Sequence, residues 1–221
     1  MIGVGITNEE YIHQIINNLK KIDYIKPSEI PNIELYMDQV TTFMDEHLQA
    51  SKRYHDDKML TKTMINNYTK NNLLPSPNKK KYSKEHLLLL TFIYYFKNIL
   101  SISDIQSIFT PLTERFYDKK ADINLEKIYE EVFSLEKEQI DTIVKDVIRK
   151  FSKAKDTFPD AKTDEDREFL TTFSFICMMS FDVYVKKMII EKLIDQQVGG
   201  IKNREKEKTA EAAREKEKNK K

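Results

Sequence analysis

Residues 60–82 carry the side chains of this chain that are best suited to contact phosphates and base edges. Within them, Met64, Ile65 and Tyr68 fall at the helical spacing that buries one stripe, and Thr61 is a good N-cap residue. The opposite face has hydroxyl, amide and amine donors and no carboxylate. Together with three lysines that follow, the candidate contacts are Thr61, Lys62, Thr63, Asn66, Asn67, Lys70, Lys79, Lys80 and Lys81. Donors of these types bind phosphate oxygens and base edges, so the pattern predicts a DNA-binding helix.

The residues after this helix have the composition of a turn. Pro75 and Pro77 cannot continue a helix, because they lack a donor and push the preceding residue to an extended conformation. Asn78 and the three lysines then form a polar tip, and Tyr82 anchors the returning chain. We therefore expect a short basic β-hairpin after the helix.

Three sequence stretches in this region suggest a family. They are Tyr-Thr-Lys-Asn-Asn-Leu-Leu-Pro at 68–75, Tyr-Ser-Lys-Glu-His-Leu at 82–87 and Ile-Leu-Ser-Ile-Ser-Asp-Ile-Gln-Ser-Ile at 99–108. In this order they resemble the reading helix, the third helix and the following Gly-Phe-Ser-Leu-x-Glu-Ile segment of MerR-type winged helix-turn-helix regulators. The resemblance covers about residues 33–112. The whole chain also resembles an uncharacterised bacterial family of proposed regulators, in which a winged helix-turn-helix precedes a helical half.

The chain departs from the MerR pattern at the positions that would read bases. Residues 66–68 are Asn-Asn-Tyr where the family has Arg-Tyr-Tyr, and residues 79–81 are three lysines where the wing has Gly-Tyr-Arg. A longer connection, residues 49–58, also replaces the compact turn between the first two helices. The base preference of the family therefore does not carry over to this chain.

The composition predicts an all-α protein. The chain has 221 residues, of which 40% are hydrophobic, enough for a core, and it has only 4 glycines and 6 prolines. Few turns and long helices are expected from such a composition. A single cysteine, Cys177, excludes a disulfide framework within one chain, and no signal peptide is recognisable at the N-terminus. We expect a cytoplasmic protein.

Apolar periodicity and turn residues divide the chain into four parts. We expect a helix from Asn32 as the first helix of the helix-turn-helix, an end of the module after Pro111, a helix break at 134–138, and a helix end at Gly199–Gly200. The predicted parts are an N-terminal helix and connector at 1–30, a winged helix-turn-helix domain at 31–115, a helical bundle for dimerisation or effector binding at 116–200, and a charged, disordered tail at 201–221.

Charge is concentrated where the DNA contact is predicted. The formal net charge of the whole chain is only +1, but residues 51–86 contain nine Lys and Arg residues against three Asp and Glu residues. A local basic patch is typical of a DNA-reading module, whereas the alternative is a solvated lysine-rich surface. If DNA docks on this patch, the acidic residues Asp38, Asp45 and Glu46 should point away from it.

The stretch Asp164–Gln197 forms the longest amphipathic helix of the sequence. Its uncharged centre, residues 169–181, is shorter than the roughly 20 residues that a membrane span requires, so we expect no membrane contact. Its methionines and phenylalanines, Phe173, Phe175, Met178 and Met179, are typical of an ordinary core. A dimer interface and an effector pocket are the two functional alternatives.

No catalytic or cofactor-binding arrangement is recognisable. The sequence has no Gly-rich phosphate loop and no Ser/His/Asp or Cys/His set in a supporting context, and Cys177 lies in an apolar run where a thiolate is disfavoured. His55, Asp56 and Asp57 lie close together, but they lack the converging ligands of a metal site. We therefore expect no enzyme activity, no metal and no cofactor.

These features predict a sequence-specific DNA-binding transcriptional regulator. One reading helix contacts few base pairs, so we expect a homodimer on a palindromic operator, held mainly by the helix at 164–197. The partner would be double-stranded DNA, with an effector of unknown identity as a further possibility. The alternative is a helical protein–protein interaction module that has the winged-helix shape and does not read DNA.

Overall fold

The computed structural model describes residues 8–19, 24–54, 56–117 and 122–218. Within these ranges it describes the side chains of all residues except 19, 136, 137 and 199–218. It is mostly helical, as predicted, with one small antiparallel sheet. The elements are α1 (Asn8–Leu19), β1 (Leu35–Tyr36), α2 (Met37–His47), α3 (Lys62–Lys70), β2 (Lys81–Tyr82), α4 (Lys84–Phe96), α5 (Ile102–Phe116), α6 (Leu125–Lys155) and α7 (Asp164–Lys218). A turn of 3-10 helix, Gln49–Ser51, follows α2.

Helix α4 is the centre of the larger hydrophobic core. Every residue from Glu85 to Tyr94 is buried, as expected for a helix that is apolar on nearly all sides. The ring of Phe92 lies 5.3 Å from the rings of both Tyr129 and Phe133 on α6, and 6.4 Å from Phe109 on α5. These aromatic contacts join α4, α5 and α6 in one packed unit.

A second, smaller core lies between α1, α6 and α7. Its buried side chains are Ile16, Val144, Val147, Phe151, Ala154 and Phe175. Helix α6 contributes to both cores, with Leu125, Tyr129 and Phe133 in the larger one. The predicted break at 134–138 is therefore wrong, because the change in apolar phase reflects a change of packing partner within one continuous helix.

The first helix of the predicted helix-turn-helix begins later than expected. Instead of starting at Asn32, α2 starts at Met37, and Leu35 and Tyr36 pair with Tyr82 and Lys81 in the sheet. Tyr36 is the N-cap residue, and its N–H donates to the side-chain oxygen of Gln39 at 2.9 Å. We expected Leu35 and Tyr36 to be helical, but strand pairing holds them in an extended conformation.

Helix α5 continues past the proline at which we placed the end of the first module. Helix α5 continues through Pro111 to Phe116, although the proline removes one backbone hydrogen bond. Phe109 is buried and Leu112 packs on the larger core, and this burial favours the helical conformation on both sides of the proline. The larger core also contains Leu125, Tyr129 and Phe133 of α6.

Helix α7 is longer than predicted. It does not end at Gly199–Gly200 but continues to Lys218, into the segment that we expected to be disordered. The residues after the glycines are rich in Ala, Glu, Lys and Arg, which favour helix. Within the part of the chain that the structure describes, neither α7 nor any other helix combines the length and apolar character needed to cross a membrane.

Phe92→Ala should lower the free energy of unfolding by about 3–5 kcal/mol, because a buried ring that touches several other rings leaves a cavity when it is removed. Ile33→Ala is the control, since Ile33 is 68% exposed and its loss should change stability by no more than about 0.5 kcal/mol. Urea unfolding followed by circular dichroism measures both. Equal stability of the two variants would contradict the central position of Phe92.

Candidate nucleic-acid interface

Helix α3 is fixed by its N-cap and by two buried side chains. The side-chain oxygen of Thr61 accepts the N–H of Met64 at 3.2 Å, as predicted from the sequence. Ile65 is fully buried and Tyr68 is nearly so, and α3 packs against α2. The face opposite these two residues therefore points to solvent.

The C-terminus of α3 is closed by a Schellman motif. Asn72 has a φ of 55°, and its N–H donates to the carbonyl of Thr69, while the N–H of Leu73 donates to the carbonyl of Tyr68 at 2.9 Å. Leu73 and Leu74 are buried immediately afterwards. The helix end and the chain that follows it are thus anchored to the core.

Residues 78–81 form a tight turn at the surface. The N–H of Lys81 donates to the carbonyl of Asn78 at 2.9 Å, and Lys79 and Lys80 have φ angles of 48° and 65°. Two positive φ values are characteristic of a type I′ turn, which favours Asn-Gly. A left-handed conformation costs a non-glycine residue roughly 1–2 kcal/mol. The two lysines therefore occupy strained positions.

The expected β-hairpin is present only as this turn. Asn78 and Lys81 form an isolated bridge, and β2 pairs with β1 instead of with the residues that precede the turn. Pro75 and Pro77 explain the difference, since they lack the N–H groups that a longer ladder requires.

The predicted contact residues fall into two groups. Lys62, Thr63, Asn66, Asn67, Lys70, Lys79 and Lys80 are exposed. Thr61 and Lys81 are half-buried and already engaged: Thr61 caps α3, and the Lys81 ammonium lies 5.4 Å from the centre of the Tyr36 ring. Lys62, although exposed, forms an ion pair with Asp38 of α2. The least engaged donors are therefore on the middle and end of α3 and on the turn.

Acidic side chains lie beside the start of α3. Asp38 contacts Lys62 and so does not point away from α3, as we had expected it to. An open groove of about 880 Å³ between α2 and the start of α3 is lined by Asp45, Glu46, Asp56 and Asp57, together with Lys52 and Lys58. Lys52 pairs with Asp45. The surface around the first turn of α3 is thus of mixed charge.

A buried polar cluster that sequence reasoning missed lies below the turn. Ser83, the N-cap residue of α4, donates its hydroxyl to Glu85 at 2.6 Å, and its backbone N–H donates to Nδ1 of His86 at 3.0 Å. The hydroxyl of Tyr117 lies 3.1 Å from the same nitrogen. Glu85 and His86 are only 6% and 5% exposed. The spacing of Ser83 and His86 matches a capping box, which is the signal that the sequence offered.

The cluster has the residue types of a catalytic triad but not the arrangement. In a triad the imidazole lies between the nucleophile and the carboxylate. Here the Ser83 hydroxyl lies in the middle, since it donates to Glu85 and is 2.9 Å from Nδ1 of His86. The same Nδ1 accepts the backbone N–H of Ser83. Nδ1 must therefore be unprotonated, so a neutral His86 carries its proton on Nε2. The cluster caps α4.

His86 connects α4 to the segment that precedes the turn. Burial lowers the pKa of His86 below its usual 6.5, and hydrogen bonds to the carbonyl of Pro75 and the backbone of Ser76 oppose this, as do the nearby carboxylates of Glu85 and Glu34. An open cavity of about 430 Å³ lies here, lined also by Asn78 and Lys81. The neutral imidazole thus joins the α4 cap to the base of the turn.

In the sequence, residues 55–57 are candidate metal ligands. His55 lies outside the described residues, and Asp56 and Asp57 line the groove beside α3. Among the residues with a described position, no group of three or more His, Cys, Asp or Glu side chains is arranged to hold a metal ion.

Comparison with known proteins gives one match. Residues 25–132 match a family described as a domain of unknown function, DUF1836. No curated protein and no solved structure matches the chain. The DUF1836-like segment is just under half of the chain, and its limits nearly coincide with the larger core, which runs from Ile25 to Phe133 apart from Ile194 of α7. The match therefore describes one packed unit that includes α3, the turn and the start of α6.

The stability of this unit should depend on the protonation of His86. Because the folded pKa lies below the unfolded value of 6.5, the unfolded chain binds the proton more tightly. The contribution of His86 to the free energy of unfolding should be highest above pH 6.5 and should fall as the pH drops from 6.5 towards the pKa of the folded state. Below the pKa of the folded state, this contribution should no longer change with pH. Urea unfolding at a series of pH values between about 5 and 8 measures the effect.

His86→Gln is the informative variant, because glutamine keeps the capping box and does not titrate. The fall in the free energy of unfolding below pH 6.5 that is due to His86 should disappear in His86→Gln. It should remain in the control His47→Gln, which changes an exposed histidine. Identical pH profiles for all three proteins would show that His86 does not control stability.

Proposed function

We propose that the chain is a DNA-binding transcriptional regulator in which α3 reads the major groove and the turn at 78–81 contacts phosphates. The observation that supports this most directly is the exposed face of α3. Thr63, Asn66, Asn67 and Lys70 project to solvent from a helix without any carboxylate, while Ile65 and Tyr68 hold the other face. A helix with one rigidly packed face and one face of uncommitted donors is suited to base contacts.

The order of elements supports a winged helix-turn-helix. The chain runs β1–α2–α3–turn–β2–α4, and β2 pairs with β1 directly after the turn. Together with the resemblance of residues 68–87 to MerR-type regulators, this order favours double-stranded DNA as the partner and the cytoplasm as the compartment. In this proposal the protein acts by binding, without catalysis, and an effector remains a further possibility.

The turn offers a second kind of contact. Lys79 and Lys80 are exposed and, among the described residues, neither forms an ion pair. Both occupy left-handed positions that glycine or asparagine would occupy at lower cost, and such strain is often found at functional sites. Ammonium groups held at the tip of a turn are suited to phosphate oxygens, which add affinity without sequence preference.

One observation favours a second candidate, a helical protein–protein interaction module. The groove between α2 and α3 carries both acidic and basic side chains, and Asp38 already neutralises Lys62. Carboxylates at this position would repel phosphates but could pair with basic residues of a protein. In that case the exposed polar face of α3 would belong to a protein-binding surface.

Binding to DNA separates the two candidates. The intact chain would be incubated with a pool of random duplexes, and bound fragments would be recovered, sequenced and footprinted. The DNA proposal requires enrichment of a common sequence and an affinity that falls with salt concentration. If no duplex is retained at low salt, the proposal is wrong and the protein-interaction module is favoured.

Replacing Lys79 and Lys80 by Asn and Gly should weaken binding to all DNA sequences alike and reduce the slope of log affinity against log salt by up to about 0.9 per lost phosphate contact. The same change should stabilise the fold by about 1 kcal/mol, because Asn-Gly suits a type I′ turn. A loss of affinity could then not be due to unfolding. The control Lys145→Ala/Lys153→Ala removes two exposed charges from α6 and should leave both quantities unchanged.

Asn66→Ala and Asn67→Ala should change the sequence preference of DNA binding and not its salt dependence. Each should leave the salt slope unchanged, and the one that makes a bidentate base contact should reduce discrimination between the selected duplex and random DNA by about 1–3 kcal/mol. Asn98→Ala, at an exposed position after α4, is the matched control. Competition titrations with both DNAs measure the discrimination. Unchanged discrimination in both variants would exclude α3 as the reading helix.

A further inference from the structure

Helix α7 has an apolar face that the other described residues do not cover. Its inner face packs on the smaller core through Phe175, with Thr171 buried beside it. On the outer side, six large apolar residues are each more than half exposed: Phe169 67%, Phe173 54%, Ile176 55%, Phe181 65%, Val183 59% and Tyr184 63%. Cys177 lies among them and is exposed rather than embedded in a core, as the apolar run had suggested.

Four of the six exposed residues recur at the spacing of a coiled coil, and Phe181 and Tyr184 lie outside this repeat. Alternating steps of four and three residues connect Phe169, Phe173, Ile176, Ser180, Val183, Lys187 and Ile190. This heptad repeat extends over about three heptads, and it forms the seam by which one helix packs along another. Ser180, in the middle of the seam, is small enough to allow a close approach.

The area of this face is sufficient for a stable interface. Phe169, Phe173, Ile176, Val183, Tyr184 and Ile190, exposed to the fractions found here, present about 600 Å² of surface on one side of α7, mostly apolar. This is at the lower end of the roughly 600–1,000 Å² per partner of a standard protein–protein interface, and at the upper end of the largest apolar patch of a typical monomer. We propose that the outer face of α7, residues 169–190, pairs with the same face of a second copy of this chain.

The charges at the two ends of the face indicate an antiparallel pair. The start of α7 is acidic, with Asp164, Glu165, Asp166 and Glu168 against Arg167. In an antiparallel arrangement centred on Ser180, this start lies beside residues 192–196 of the partner, where Lys192 and Asp195 leave no net charge. A parallel arrangement would bring like charges together.

The area and symmetry of the face indicate that the occupant is a second copy. A two-fold symmetric interface must be self-complementary, and an apolar repeat centred on Ser180 fulfils this condition in the antiparallel orientation, which also keeps the two acidic starts apart. The pairing does not depend on DNA binding, so the two proposals can fail separately.

The oligomeric state of the intact chain is the first test. Sedimentation equilibrium should show a dimer at micromolar concentration. Phe173→Gln/Ile176→Gln should raise the dissociation constant by about 100-fold or more, because two large side chains would no longer be buried. Ile33→Gln/Ile123→Gln changes two residues of similar exposure outside α7 and should leave the dimer intact.

Circular dichroism would show whether the variants fold, and Ser180→Arg tests the same face without removing an apolar side chain. A monomeric intact chain at about 50 µM, an assembly larger than a dimer, or a dimer that survives both the double variant and Ser180→Arg would overturn the proposal.

Spin labels test the orientation. With Cys177→Ser and Asp164→Cys, each copy carries one label at the start of α7, where the native Asp164 side chain is fully exposed. In an antiparallel pair centred on Ser180 the two labelled positions are separated by 32 residues of helix rise, about 48 Å. In a parallel pair they lie side by side, at about the interaxial distance of 8–10 Å plus the label lengths. A distance near 48 Å supports the antiparallel pair, and a distance below about 25 Å overturns it.

Discussion

The packing of Phe92 determines how the rest of the DUF1836-like segment is arranged. Its ring contacts α5 through Phe109 and α6 through Tyr129 and Phe133, so three helices meet at one side chain. The hydroxyl of Tyr129 donates to the carbonyl of Ile25, which also fixes the connector before β1. Helix α4 is buried along its length, and the same core contains Ile65 and Tyr68 of α3 and the residues Leu73 and Leu74 that precede the turn at 78–81. The candidate interface is thus presented by a rigid unit.

The sequence predicted correctly those features that depend on local interactions. Thr61 accepts the backbone N–H group expected of an N-cap, and α3 ends before Pro75 and Pro77, as these prolines indicated. The burial of α4 also followed from its composition. In each of these cases the signal and the structure that it forms lie within a few residues, so no knowledge of tertiary packing was needed.

The errors concern features that depend on distant partners. Leu35 and Tyr36 have a helical apolar pattern, but pairing with residues 81 and 82 makes them a strand. The buried polar cluster was missed because Tyr117 approaches His86 only through the packing of α5. The predicted donors on α3 are exposed, yet the ion pair between Lys62 and Asp38 joins two helices and could not be inferred from either one.

The continuity of α6 has a mechanical consequence. A helix of 31 residues is about 46 Å long, and this one has Tyr129 in one core and Phe151 in the other without a joint between them. Because α6 is one continuous helix that packs in both cores, a tilt of α6 at the smaller core would also change its angle at the larger core. The spacing between two α3 helices in an α7-paired assembly would then be set by the stiffness of α6, with no flexible linker to absorb strain.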